Sequence, residues 1–156
     1  MHAKPYRWLG REFVSLSAEG RDGTPEQQTR DLLGRFAEEL QGHGPSLENT
    51  VRTRLWARDR DSRTQDTAER LATLSGRARS SSSSFVAPGR FATGADVALD
   101  LLALRPPVPE AAKAVVEHEP PVAPDALHYL RLPGLPVRRD RRPGRRPAER
   151  SHTLSG

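Results

Sequence analysis

Cysteine is absent from the chain, which excludes disulfides, thiolate nucleophiles and cysteine zinc sites and makes a reducing compartment, the cytoplasm, the expected setting. Long apolar runs are missing too: no window approaches the roughly 18 uninterrupted apolar residues that mark a membrane span. The opening Met1-His2-Ala3-Lys4-Pro5 carries no apolar stretch of the kind a secretory leader needs. There is no phosphate-binding loop, no dinucleotide fingerprint and no Gly-x-Ser-x-Gly elbow around any of the many serines. The histidines at 2, 43, 118, 128 and 152 show no metal-ligand spacing. Neither a metal nor a cofactor is expected.

What is present is unevenly distributed. The net charge of +5 divides into +2 over residues 1–105 and +3 over residues 106–156. Positions 137–150 hold seven arginines against Asp140 and Glu149. Of the 14 prolines, 4 precede position 106 and 10 follow it. A break of this kind marks a boundary. The predicted organisation is one domain over 1–105, long enough to bury its own core, then a proline-rich linker over 106–126 and a further segment over 127–156. Residues 106–156 are expected to lie outside the core.

Within the domain, Tyr6–Leu9 and Glu12–Ser17 read as two short strands around a Gly10-Arg11 turn. Thr24-Pro25-Glu26-Gln27 is a helix start: a threonine cap, proline at the first helical position and glutamine where a capping box needs it. Leu32, Leu33, Phe36 and Leu40 recur at helical spacing, so a helix is predicted over 25–42, ended by Gly42, Gly44 and Pro45. Asn49–Asp59 alternates, with Val51, Thr53, Leu55 and Ala57 on one face and Arg52, Arg54, Trp56 and Arg58 on the other. Ser62–Leu74 reads as a second helix with Ala68, Leu71 and Leu74 inward, Arg79–Val86 as a strand with a polar start, and Asp96–Leu104 as the most apolar strand, interrupted by Asp100. The order is ββ–α–β–α–ββ, an α+β sheet with two helices on one face. The other face, carrying Trp56, arginines and serines, suggests burial against another subunit.

Several runs resemble the Rid family, the reactive intermediate deaminases. The likeness covers about 4–105 and rests on Glu26-Gln27-Gln28-Thr29-Arg30, on Gly44-Pro45-Ser46-Leu47 leading to Val51-Arg52-Thr53, and on Ala78-Arg79-Ser80. Pro5-Tyr6 and Ser17 fit the family's N-terminal tyrosine and first-hairpin serine. The resemblance implies a chorismate-mutase-like fold, a homotrimer with sites between adjacent subunits, and cofactor-free hydrolysis of 2-imino acids to 2-oxo acids and ammonia. It also implies that Arg79 clamps the substrate carboxylate, through two parallel charge-assisted bonds that a planar guanidinium can make, with Tyr6, Ser17 and Ser81 in support.

The departures are specific. The family glutamate that positions water falls on Ala98 in one register and on Asp100 in another two residues on. Both side chains share a face, so both alignments stand, with Asp100 the candidate catalytic residue. Asp100 is either an acid–base group or a carboxylate paired with an interface arginine. The family's active-site asparagine falls near Thr67, and its common cysteine is Ser81. These differences motivate a second reading, a Rid homologue that binds a small carboxylate without turning it over.

Pro106–Pro124 brackets a predicted short helix, Glu110–Glu117, and Leu127–Gly134 echoes the opening Pro5–Gly10. The expectation is an incomplete second copy of the domain, truncated or shifted in frame, followed by a disordered arginine-rich end. The alternative is a nucleic-acid-binding tail, since seven arginines could neutralise several phosphates. No aromatic residue interleaves with them to stack on bases, so that role ranks below the others.

Overall fold

The computed structural model describes residues 1–87, 89, 91–117 and 128–133. Two strands, β1 (His2–Trp8) and β2 (Arg11–Glu19), form an antiparallel hairpin. Its two-residue turn, Leu9-Gly10, has φ of 48° and 73°, the paired positive values that match the twist of a tight hairpin. Helix α1 (Pro25–His43) follows, then β3 (Thr50–Ala57), helix α2 (Arg60–Thr73), β4 (Ser81–Val86) and β5 (Val97–Arg105). The five strands lie in the order β1-β2-β5-β3-β4, antiparallel except for the parallel β3–β4 pair. The predicted α+β order is the observed one.

The core lies between the sheet and the helices. Leu32, Leu33, Phe36 and Leu40 of α1 meet Val14 and Leu16, Leu55 and Ala57, and Val97, Leu99, Leu101 and Ala103 of β2, β3 and β5. Each such leucine, fully buried, stabilises the fold by roughly 1.5–3 kcal/mol. The capping box at α1 forms as its residues require: the Gln27 backbone N–H donates to Thr24 Oγ1 at 3.3 Å, and the Thr24 N–H donates to Gln27 Oε1 at 2.9 Å. Thr24→Ala is expected to lower stability by about 1 kcal/mol, read as an earlier urea midpoint with an unchanged slope.

The inner face of α2 differs from the expected one. Ala68 and Leu71 point outward, Leu71 being 54% exposed, while Ser62, Asp66 and Arg70 are buried. The physical reason is a polar network. Thr29 of α1 donates to Asp66 at 2.9 Å, and Arg70 donates to the Ser83 carbonyl at 2.8 Å and the Ser84 hydroxyl at 3.0 Å. A hydrophobic count along the helix cannot detect inward residues whose polar atoms find partners in other elements. Val51 departs as well: the β3–β5 ladder shifts between Thr50 and Arg52, so Val51 packs against Phe13, Leu102 and Leu104 on the far side of the sheet.

Beyond position 105 the predicted short helix is replaced by a single 3-10 turn, Pro109–Ala111, and strand β6 (Ala114–Glu117), which pairs with β7 (His128–Arg131). This segment does touch the domain, contrary to the expectation that it lies outside the core. Leu132 packs against Phe13, Leu102 and Leu104, and the Arg11 side chain donates to the Pro133 carbonyl at 2.6 Å. The arginine-rich run 138–150 and the proposed frame shift lie outside the described residues.

Candidate functional site

The face of the sheet opposite the helices is organised in cross-strand rows, because every second residue of neighbouring strands shares one side. One row is polar throughout: His2, Ser17, Asp100, Arg54 and Ser83 stand side by side across β1, β2, β5, β3 and β4. On one side of it lies the row Glu19, Ala98, Trp56, Phe85; on the other, Lys4, Ser15, Leu102, Arg52, Ser81. Further along, Tyr6, Phe13 and Leu104 are apolar neighbours, with the Tyr6 and Phe13 rings stacked at 5.7 Å.

Asp100 therefore sits directly across from Ser17, whereas Ala98 sits across from Glu19. Of the two alternative positions for the strand acid, the one bearing a carboxylate is beside the serine. Arg54 donates to Asp100 Oδ2 from Nε at 2.8 Å and from Nη2 at 2.5 Å, and the carboxylate raises the guanidinium above its ordinary pKa. The same guanidinium lies 5.3 Å from the centre of the Trp56 ring, which stacks on Phe85 at 6.0 Å. Two neighbours thus hold Arg54 in place. Asp100 Oδ1 is buried and has no hydrogen-bond partner among the described residues. Sequence alone left Asp100 between an acid–base group and an ion-paired carboxylate; the pairing with Arg54 uses one oxygen and leaves the other.

A cleft of about 530 Å³ opens beside this row, lined in part by His2, Ser17, Glu19, Trp56, Thr93 and Ala98. Glu19 is committed to its wall: Oε2 accepts from the Thr93 backbone N–H at 2.9 Å and hydroxyl at 3.0 Å, which holds the carboxyl below its ordinary pKa. Sequence reasoning missed Glu19, because only the β2–β5 register places it beside Ala98.

The remaining expected residues occupy the same side of the sheet without converging. Ser81 stands beside Arg52, one row from Asp100. Tyr6 is opposite Phe13, two rows from Ser17. Arg79 precedes β4, with φ −47° and ψ 137°, four residues before Ser83 in the Asp100 row. At about 3.3 Å per residue, that is roughly 13 Å along the strand. Thr67, near which the family asparagine was expected, bonds Ser84 at 2.8 Å on the helix side of the sheet. Among the described residues no group of His, Asp and Glu is arranged to hold a metal ion, and no helix is long and apolar enough to cross a membrane.

The architecture is that of a class of small α+β proteins with one helix-covered and one open sheet face, and solved structures share it. A Mycobacterium tuberculosis member of the YjgF/YER057c/UK114 family is 29% identical, over 60% of this chain and 79% of that one, with a TM-score of 0.53. A Neisseria meningitidis YjgF-family protein is 17% identical over 64% and 83%, TM-score 0.55, and yeast Mmf1 is 12% identical over 60% and 79%, TM-score 0.55. No family model and no curated protein matches the chain. The chain shares the fold of the YjgF/YER057c/UK114 structures, the Rid family that its sequence resembles, and is 29% identical to one of that family's members.

Proposed function

We propose that the protein hydrolyses reactive 2-imino acids and their enamine tautomers to 2-oxo acids and ammonia. Arg79 holds the substrate carboxylate, Asp100 handles the attacking water, Ser17, Tyr6 and Ser81 line the site, and two subunits of a trimer contribute to each site. The single observation that carries this reading is the division of one open face. Ser17 and Asp100 lie side by side in one row, whereas Arg79 precedes β4 four residues before Ser83 of that row; this separation supports a site in which the clamp of one copy meets the acid of the next.

In the proposed reaction, water adds to C2 of the iminium while its proton passes to the Asp100 carboxylate. The proton then moves from Asp100 to nitrogen, the C–N bond breaks to expel ammonia, and the hydroxyl proton passes back to Asp100 as the oxygen becomes the ketone. Ammonia takes that proton as it leaves, so one iminium and one water give one 2-oxo acid and one ammonium and Asp100 is restored. The second reading is carboxylate binding without turnover, favoured by the Arg54 guanidinium that occupies Asp100 Oδ2.

The test is release of 2-oxo acid from 2-iminopropanoate generated in situ, comparing the protein with Arg79→Ala. Each charge-assisted bond is worth about 1.5–3 kcal/mol, so kcat/KM is expected to fall by about 100-fold or more. An active Arg79→Ala variant would remove the clamp. A folded but inactive parent that still binds pyruvate would leave the binding reading in its place. Light scattering on the parent is expected to give the mass of a trimer.

A further inference from the structure

Lys113 lies beyond the 1–105 domain, yet its ammonium reaches into it. The β3–β4 ladder begins at the pair Arg52 and Ser81, so the preceding residues Thr50 and Arg79 are outside it. Lys113 Nζ donates to both of their carbonyls, to that of Arg79 at 2.5 Å, and so ties the two strand starts together before their own pairing begins. On the other side of the same residue, the Arg79 backbone N–H donates to the Gly76 carbonyl at 3.1 Å. Both main-chain polar groups of Arg79 are therefore held, one by the 76–78 turn and one by the extension.

From this geometry we infer that Lys113 is a positioning residue for the Arg79 clamp, and that residues 106–117 are a working part of the site. A guanidinium that meets a carboxylate with two parallel bonds is sensitive to the direction in which its backbone presents it. Arg79 stands at a strand start without ladder bonds, the place where that direction is least fixed. An ammonium suits the task, because it donates to two carbonyls at once. The charged groups around it are Glu48, Arg77 and Arg79; Arg77 is paired with Glu48 at 3.2 Å. Burial lowers Lys113 to about 8, with Glu48 acting against it, so the group is still mostly charged at pH 7.

The inference rests on Arg79 being the clamp, and the experiment separates the two. Pyruvate affinity is measured by calorimetry on the full chain for the parent, Arg79→Ala, Lys113→Met and the double variant. Lys113→Met is expected to raise Kd by about tenfold, the worth of one lost charge-assisted bond. In the Arg79→Ala background the same change is expected to add nothing, whereas a general loss of stability would act in both backgrounds. Lys113→Arg, which keeps a charged donor, is expected to restore most of the affinity. Lys113→Gln, shorter and uncharged, serves as a second variant should Lys113→Met not fold, and is also expected to weaken pyruvate. Parent-like binding by a folded Lys113→Met or Lys113→Gln, with Arg79→Ala weakened, overturns the positioning role and leaves the clamp standing. Parent-like binding by Arg79→Ala overturns both.

Discussion

Asp100→Asn is expected to lower kcat for 2-iminopropanoate by about 10²–10³-fold and to leave KM within about threefold. The asymmetry follows from the proposed division of labour: Arg79 binds the carboxylate in ground and transition states alike, while Asp100 acts on the water only as the reaction proceeds. The amide is nearly the shape of the carboxylate and can still accept from Arg54, so the Arg54–Trp56–Phe85 stack remains supported. What it cannot do is take a proton from water at neutral pH. Stopped-flow or coupled detection of 2-oxo acid reads both constants. Unchanged kcat would make Asp100 a partner of Arg54 and nothing more. In that case another group must handle the water.

The second large effect concerns stability. Burial, the largest cause, pushes the Asp66 carboxyl up to about 7; the Thr29 hydroxyl opposes it, while Glu26, Asp96 and Asp59 raise it further. Arg70, one turn along α2, is itself lowered by burial to about 10, with Asp66 acting in the other direction. The folded chain thus keeps a proton on Asp66 that the unfolded chain gives up above about pH 4. Where the folded state binds more protons, stability falls as pH rises. The contribution of this group is complete below about pH 4, declines between about 4 and 7, and is gone above. Asp66→Asn removes it. The stability of the variant relative to the parent is expected to rise by roughly 3–4 kcal/mol between pH 4 and pH 8, whatever constant offset the amide brings. Guanidinium denaturation of both proteins across that range reads the difference directly. Parallel curves would mean that Asp66 is ionised in the folded state throughout.

The buried polar network also explains how the two helices are kept in register. Thr29 and Asp66 join α1 to α2, and Arg70 joins α2 to β4. Arg30 and Glu69 add an outer bond between the helices, Nε to Oε1 at 2.9 Å and Nη2 to Oε2 at 2.8 Å. The outer pair is exposed on the arginine side and contributes little. The inner set joins the elements at a cost, because Asp66 Oδ2 and Arg70 Nε are buried without a partner among the described residues and each such group costs about 1–3 kcal/mol.

The order of elements, the start of α1 and most of the helix-facing side of the sheet were legible in the residues alone. Those features follow from signals between residues a few positions apart: a capping threonine with its glutamine, leucines at helical spacing, alternation along a strand. The resemblance to the Rid family also put forward Arg79, Ser17, Tyr6, Ser81 and Asp100 as the candidate site residues. How those residues are distributed became visible in the folded chain. Which of Ala98 and Asp100 stands beside Ser17 depends on the β2–β5 register, and a register is a relation between strands about eighty residues apart in the chain. The inward face of α2 was unreadable for a similar reason: Asp66 and Arg70 are buried because their partners, Thr29, Ser83 and Ser84, come from other elements. The reach of Lys113 to Arg79 was equally invisible. A proline-rich run reads as a linker until folding brings its one lysine to two carbonyls, of Thr50 and Arg79, that precede the β3–β4 ladder.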